Sequence, residues 1–293
     1  MRFPPTGSPA KYSPVRRHLR RGLAGAGLAA FTLGVCCYVS HLCDCERLRR
    51  IAEQVAPAGQ LPSQRVLALL DWVYHNRGFH ENNRYFLLPQ LRATPMQIVD
   101  GGGDCADKSR LLSALLREVG IASTMLMCFD PRTGAPTHTV VEARIEDGAF
   151  MVVDPVYRLW FPRPDGRGYY DLLDLRRDPD ILNRRLDDLL AFAAPRNPLH
   201  SYNRRSAVYD LATAINWNKN VVTRFLHDRI RDVKGDAVCR IPRPILLEEP
   251  KLFVALAMIV LGTVCCAFAL AIRTPGHRRQ LPVVHRSVVA CGL

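Results

Sequence analysis

Acidic residues are missing from both ends of this chain. No Asp or Glu occurs among residues 1–40 or 252–293, so the segment 41–251 holds all 27. The ends carry ten of the 40 basic residues, which leaves 30 basic against 27 acidic in the middle, a net +3 beside the +13 of the whole chain. The basic excess is therefore mostly a topology signal, and a phosphate-binding field is excluded, so no nucleic-acid partner is expected. Cysteine is scarce where a disulfide scaffold would need it. Of ten cysteines, Cys36, Cys37, Cys265 and Cys266 lie in apolar runs and Cys291 in the tail. Only Cys43, Cys45, Cys105, Cys128 and Cys239 remain for the middle. Free thiols are the simplest reading, and a bridge from Cys239 to Cys43 or Cys45 is the alternative. The nine histidines lack ligand spacing and Cys43-Asp44-Cys45 alone is no zinc motif, so no metal is expected. The chain has no phosphate-binding or dinucleotide-binding glycine motif, no sign of another cofactor, and no internal repeat.

Two uncharged apolar runs are present, residues 22–40 and 252–272, each close to the roughly 20 residues that a membrane-spanning helix needs. Arg2, Lys11, Arg16, Arg17, Arg20 and Arg21 precede the first run, against Arg47, Arg49 and Arg50 soon after it. That bias predicts a cytoplasmic N-terminal tail, 1–21, an outward domain, 41–251, and a cytoplasmic tail, 273–293. The domain would be periplasmic in a bacterium. A cleaved signal peptide is the alternative for the first run, but no small-x-small cleavage site follows it and no lipobox precedes Cys36 or Cys43. Arg16-Arg17 is at most a weak export signal. Residues 1–13 are rich in Pro and polar residues and are expected to be disordered.

Within the middle segment, apolar residues at helical spacing predict an amphipathic helix from Leu61 to about Asn76, and Thr94-Pro95 starts a short one. Leu111, Leu112, Leu115, Leu116 and Val119 predict a helix stopped by Gly120, with Asp104 as its N-cap and Cys105 as its first residue. IASTMLMCFD, THTVVEARI and AFMVVDP read as three strands. Beyond Trp160 the chain turns to loops and charged helices, over about 165–235, with no functional reading from sequence.

Cys105 stands where three glycines give way to a helix. Free N–H groups and the positive end of the helix dipole favour a thiolate there, and Gly101, Gly102 and Gly103 would let a substrate backbone approach. A buried structural cysteine is the competing reading. A nucleophile needs a base, and His138 is the best candidate. If Glu146, Asp147 and Gly148 form a three-residue loop, Ile145 pairs with Ala149, Val140 with Asp154 and His138 with Val156. His138 and Asp154 then share a face within reach of each other, whereas a two-residue loop would put them on opposite faces.

Gly-Asp-Cys-Ala-Asp-Lys-Ser at 103–109, the following LLSALLREVGIAS, His138 with Val140 and Glu142, and Val153-Asp154-Pro155 together resemble the transglutaminase-like superfamily. Thr94-Pro95 also fits its bacterial members. The resemblance spans about 61–161. It implies an α+β fold with a papain-like core, one helix carrying the cysteine against an antiparallel sheet. It also implies that Cys105 is the nucleophile, His138 the base and Asp154 the orienting acid. Family members often carry an aromatic residue directly after the histidine, where Thr139 stands here. The Cys105 N–H is a natural oxyanion donor and Gln97 or Gln90 could supply a second. Gly102, Gly103, Asp104, Tyr157 and Trp160 are candidates for the substrate cleft. The expected activity is acyl transfer from polypeptide amide bonds to water or to an amine, at a membrane-anchored domain facing envelope or secreted polypeptides. A non-catalytic binding or assembly module is the alternative from another class. An arylamine acetyltransferase ranks behind both, because its usual arginine before the glycines is Gly101 here.

Overall fold

The computed structural model describes residues 14–81, 83–204 and 208–272. The expected disorder of 1–13, the C-terminal tail and Cys291 lie outside the described residues. In chain order the elements begin with helices α1, Pro14–Val55, α2, Pro62–His75, α3, Pro95–Gly101, and α4, Cys105–Glu118. Strands β1, Ser123–Phe129, β2, Pro136–Arg144, β3, Phe150–Asp154, and β4, Leu159–Trp160, follow. Helices α5, Leu172–Arg177, α6, Asp180–Leu190, α7, Val221–Lys234, α8, Ile245–Glu248, and α9, Pro250–Ala271, complete the described chain.

Internal contacts divide the molecule into two units, one reaching through Cys36 and resuming at Ala255, the other Cys37–Val254. The first contains the apolar parts of α1 and α9, both long and apolar enough to cross a membrane. Glycines let these helices touch: a Cβ on Gly262 would fall 2.6 Å from the Phe31 nitrogen, and one on Gly27 2.7 Å from the Cys266 sulfur. Small residues at such crossings allow close backbone packing. Helix α1 runs well past the expected span of 22–40, so Cys43 and Cys45 are helical.

The second unit is built on a four-stranded antiparallel sheet in the order β1-β2-β3-β4. The Glu146–Gly148 turn sets its central register. Asp147 and Gly148 both adopt positive φ, 56° and 74°, the Ile145 N–H donates to the Ala149 carbonyl at 2.8 Å, and Val141 pairs with Val153. Continuing that register places Val140 opposite Asp154 and His138 opposite Val156.

Both faces of the sheet are covered. Val141, Ala143, Met151 and Val153 pack against Leu69 and Leu70 of α2, Ile98 of α3 and Leu111, Leu112 and Leu115 of α4. Leu48 and Ala52 of α1 belong to the same core, which thus begins upstream of residue 61. On the other face Leu126, Val140 and Val152 meet Leu172, Leu175, Leu182 and Leu186 of the C-terminal helices. Two covered faces explain why β2 is buried without a break from His138 to Ala143, polar residues included. The thiols of Cys43, Cys45 and Cys239 are free, with Cys239 buried in the second core and Cys43 exposed, so the alternative of a bridge is not realised.

Candidate active site

Cys105 opens α4, as its sequence predicts. Asp104, extended at φ −82° and ψ −172°, caps the helix by accepting the Asp107 N–H at 3.0 Å. The first N–H groups of a helix have no intrahelical partner, so the thiol sits at the positive end of α4. About four turns later the chain leaves the helix through Val119 and Gly120, which takes φ 75°. The Ser109 hydroxyl donates to the Thr139 carbonyl at 2.9 Å, which fixes α4 to β2 beside His138.

His138 lies near the start of β2 and Asp154 ends β3. Antiparallel pairing brings both to the same end of the sheet. The His138 Nε2 and Asp154 Oδ2 are 2.6 Å apart. The other oxygen, Oδ1, accepts N–H groups from Val156 at 2.9 Å and Tyr157 at 3.3 Å. Asp154 is completely buried and His138 is 8% exposed. Burial alone would disfavour the imidazolium, but the Asp154 charge and hydrogen bond, joined by a hydrogen bond with Cys105, outweigh it and raise His138 to about 10.

Cys105 and His138 share a cavity of about 130 Å³ with Phe79, Thr137, Val156, Tyr157, Tyr202 and Asn203. The Tyr157 and Tyr202 rings stand edge to face at 4.6 Å, and the imidazole lies 5.8 Å from the first and 6.4 Å from the second. A second thiol, Cys128, pairs across the sheet with His138. It is fully buried, and burial followed by the charge of Asp154 pushes it far above the ordinary thiol range. Cys105 is half-buried and opens into the cavity.

Several residues expected at the site are elsewhere. The Gln97 amide is committed to the start of α3: its Oε1 accepts the Thr94 N–H at 2.9 Å and its Nε2 donates to the Tyr85 carbonyl at 3.4 Å. Gln90 is exposed in the short turn Pro89–Leu91. Neither lines the cavity that Cys105 and His138 share. Trp160 packs on the first core with the Arg185 guanidinium 5.5 Å over its ring, so it supports the sheet and does not wall the cleft. The glycines also serve packing. A Cβ on Gly102 would lie 2.7 Å from the His80 ring and one on Gly103 2.5 Å from the Asp107 Cβ, so the chain itself fills the space expected for a substrate backbone. Phe79, Tyr202 and Asn203 carry no local signal in the sequence; they reach the cleft only through the fold.

A mixed α+β architecture thus holds a cysteine at a helix start beside a buried histidine–aspartate pair, an arrangement suited to thiol chemistry. Residues 49–155 match the model of the family described as the Transglutaminase-like superfamily. No curated protein matches the chain. Two solved structures are similar to parts of it. One, described as a "putative cysteine protease" from Cytophaga hutchinsonii, shares 22% identity, with 45% of each chain covered and a TM-score of 0.33. The other, a "putative protease" from Parabacteroides distasonis ATCC 8503, shares 15% identity with a TM-score of 0.30. It covers 45% of this chain and 30% of its own. The chain thus spans less than half the length of either.

Proposed function

We propose that this protein is a membrane-anchored thiol enzyme that cleaves polypeptide amide bonds through an acyl-enzyme on Cys105. The carrying observation is the 2.6 Å contact of His138 Nε2 with a fully buried Asp154 in the cavity that Cys105 shares. With Nε2 held by the carboxylate, the other ring nitrogen is left for the thiol. His138, raised to about 10, is protonated at neutral pH, and its proton is the one that leaves Cys105.

The sulfur attacks the amide carbonyl, and the Cys105 backbone N–H stabilises the oxyanion. The imidazolium gives its proton to the departing amine as the C–N bond breaks. The neutral imidazole then takes a proton from water or an incoming amine, which attacks the thioester, and the departing thiolate restores the starting pair. Asp154 orients the ring and balances its charge throughout. Helices α1 and α9 would anchor the domain in a membrane, with both chain ends cytoplasmic and the domain outward, as the basic residues before the first apolar run favour.

Alkylation of Cys105 by iodoacetamide, followed by peptide mass in the full chain in detergent, tests this reading. The parent is expected to label at pH 6 at least about tenfold faster than His138→Ala. Equal, slow labelling in both would leave the domain as a non-catalytic scaffold.

A further inference from the structure

Lys108 takes no part in the chemistry above, yet it is among the most deeply buried side chains of the protein, 2% exposed. It stands one turn after Cys105 on α4. Its Nζ donates to the carbonyls of Val73 at 2.7 Å, Tyr74 at 3.3 Å and Asn76 at 3.2 Å, at the end of α2. A helix leaves its last carbonyls without partners and carries a negative dipole end there, so an ammonium group is the matching cap.

The chain then turns directly onto the cleft. Arg77 and Gly78 take φ 54° and 69°, Phe79 bridges Gly103, and the His80 N–H donates to the Gly103 carbonyl at 3.3 Å. The Arg77 carbonyl and the His80 ring press on Gly102. Phe79 itself lines the cavity with Cys105.

We propose that Lys108 is a positioning residue of the thiol site: by clamping the end of α2 to the helix that carries Cys105, it fixes the Arg77–His80 turn and the Phe79 wall of the cleft. This rests on the thiol-enzyme reading of Cys105. An ammonium offers three N–H donors to three carbonyls, whereas a neutral amine offers two and turns a lone pair toward the third. Burial lowers Lys108 to about 8, and no charged neighbour contributes. Asp107 on the same helix is bonded to Arg110 at 3.0 Å. Asp71 and His75 on α2 pair at 3.6 Å with their side chains exposed, and Asp100 on α3 is exposed. The clamp therefore loosens as pH rises through about 8, while His138 keeps its proton to about 10.

Acylation of Cys105 by p-nitrophenyl acetate in the full chain in detergent, read by p-nitrophenolate release and peptide mass, tests the clamp. At pH 9 about a tenth of the lysines remain charged, so the parent rate is expected about tenfold below its neutral plateau. In Lys108→Arg, whose charge is permanent, the plateau should extend toward pH 10. Hydrogen exchange of the unsubstituted protein serves if that variant does not fold. Protection of residues 76–81, corrected for the intrinsic pH effect, should drop about tenfold between pH 7 and pH 9 while β2 and β3 keep theirs. A limb near pH 8 that persists in Lys108→Arg, or protection of 76–81 indifferent to pH, would overturn the proposal. If Cys105 does not acylate at any pH, the thiol-enzyme reading fails, and the exchange measurement still decides the clamp by itself.

Discussion

Asp154 uses both of its oxygens inside the protein, one toward His138 and one toward the backbone of Val156 and Tyr157. The carboxylate is thus held in place by the turn that follows it, and the imidazole is aligned in its turn. Because His138 is raised in the folded state, its pairing stabilises the protein fully below about 6.5, and that contribution is lost as pH rises through about 10. In Asp154→Asn the charge that opposes burial is gone. The imidazole should then titrate below 6.5 in an NMR titration of its ring signals. A ring that still titrates near 10 would place its partner elsewhere. At this scale the sequence named the three residues that the fold brings together, whereas the close neighbours of Gly102 and Gly103, His80 and Asp107, are set by chain turns that no spacing rule contains.

The loop between β2 and β3 decides whether the trio can meet. Its three residues fix the pairing of Val141 with Val153, and a shift by one would turn every side chain of β3 to the other face. Deleting Asp147 is therefore expected to separate His138 from Asp154, with the raised titration of His138 abolished although the four strands still form. Circular dichroism would check the strands and NMR the histidine. Retention of the raised value would show that the register is set by core packing and not by the loop. Here the sequence left two registers open, one for each loop length, and the three-residue loop of the structure selects the one that puts His138 and Asp154 on the same face. The cap of α4 was legible directly, as Asp104 and Asp107 are three residues apart.

The family match ends at residue 155, but the domain does not. Tyr202 and Asn203 close the cleft from the C-terminal section, and Thr213 pairs with Met127 at the edge of β1. Arg240 ties this section to the sheet: it contacts Glu142 and Asp171 at 2.8 Å each, and Glu142 also accepts the Leu172 N–H at 2.8 Å. Burial raises the Glu142 carboxyl, and Arg240 is the first influence that opposes this. Removing one member of a buried pair leaves the other uncompensated, so Arg240→Met is expected to destabilise the domain by about 3–5 kcal/mol in chemical denaturation. A change within about 0.5 kcal/mol would mean that the C-terminal section is held by its apolar contacts alone.

The sequence by itself determined the helix that presents Cys105 and the strands that carry His138 and Asp154, because capping and strand-forming patterns act over a few residues, and it narrowed their register to two possibilities set by the loop length. It also determined the two apolar helices, which follow from composition. The tertiary structure alone decided what surrounds the thiol: Tyr202 beside Tyr157, Phe79 over the cavity, Lys108 under the turn that bears it, and Gln97 drawn away to cap α3. Those neighbours are brought together by packing across long stretches of chain, and which buried donor meets which carbonyl is settled only when both faces of the sheet are covered.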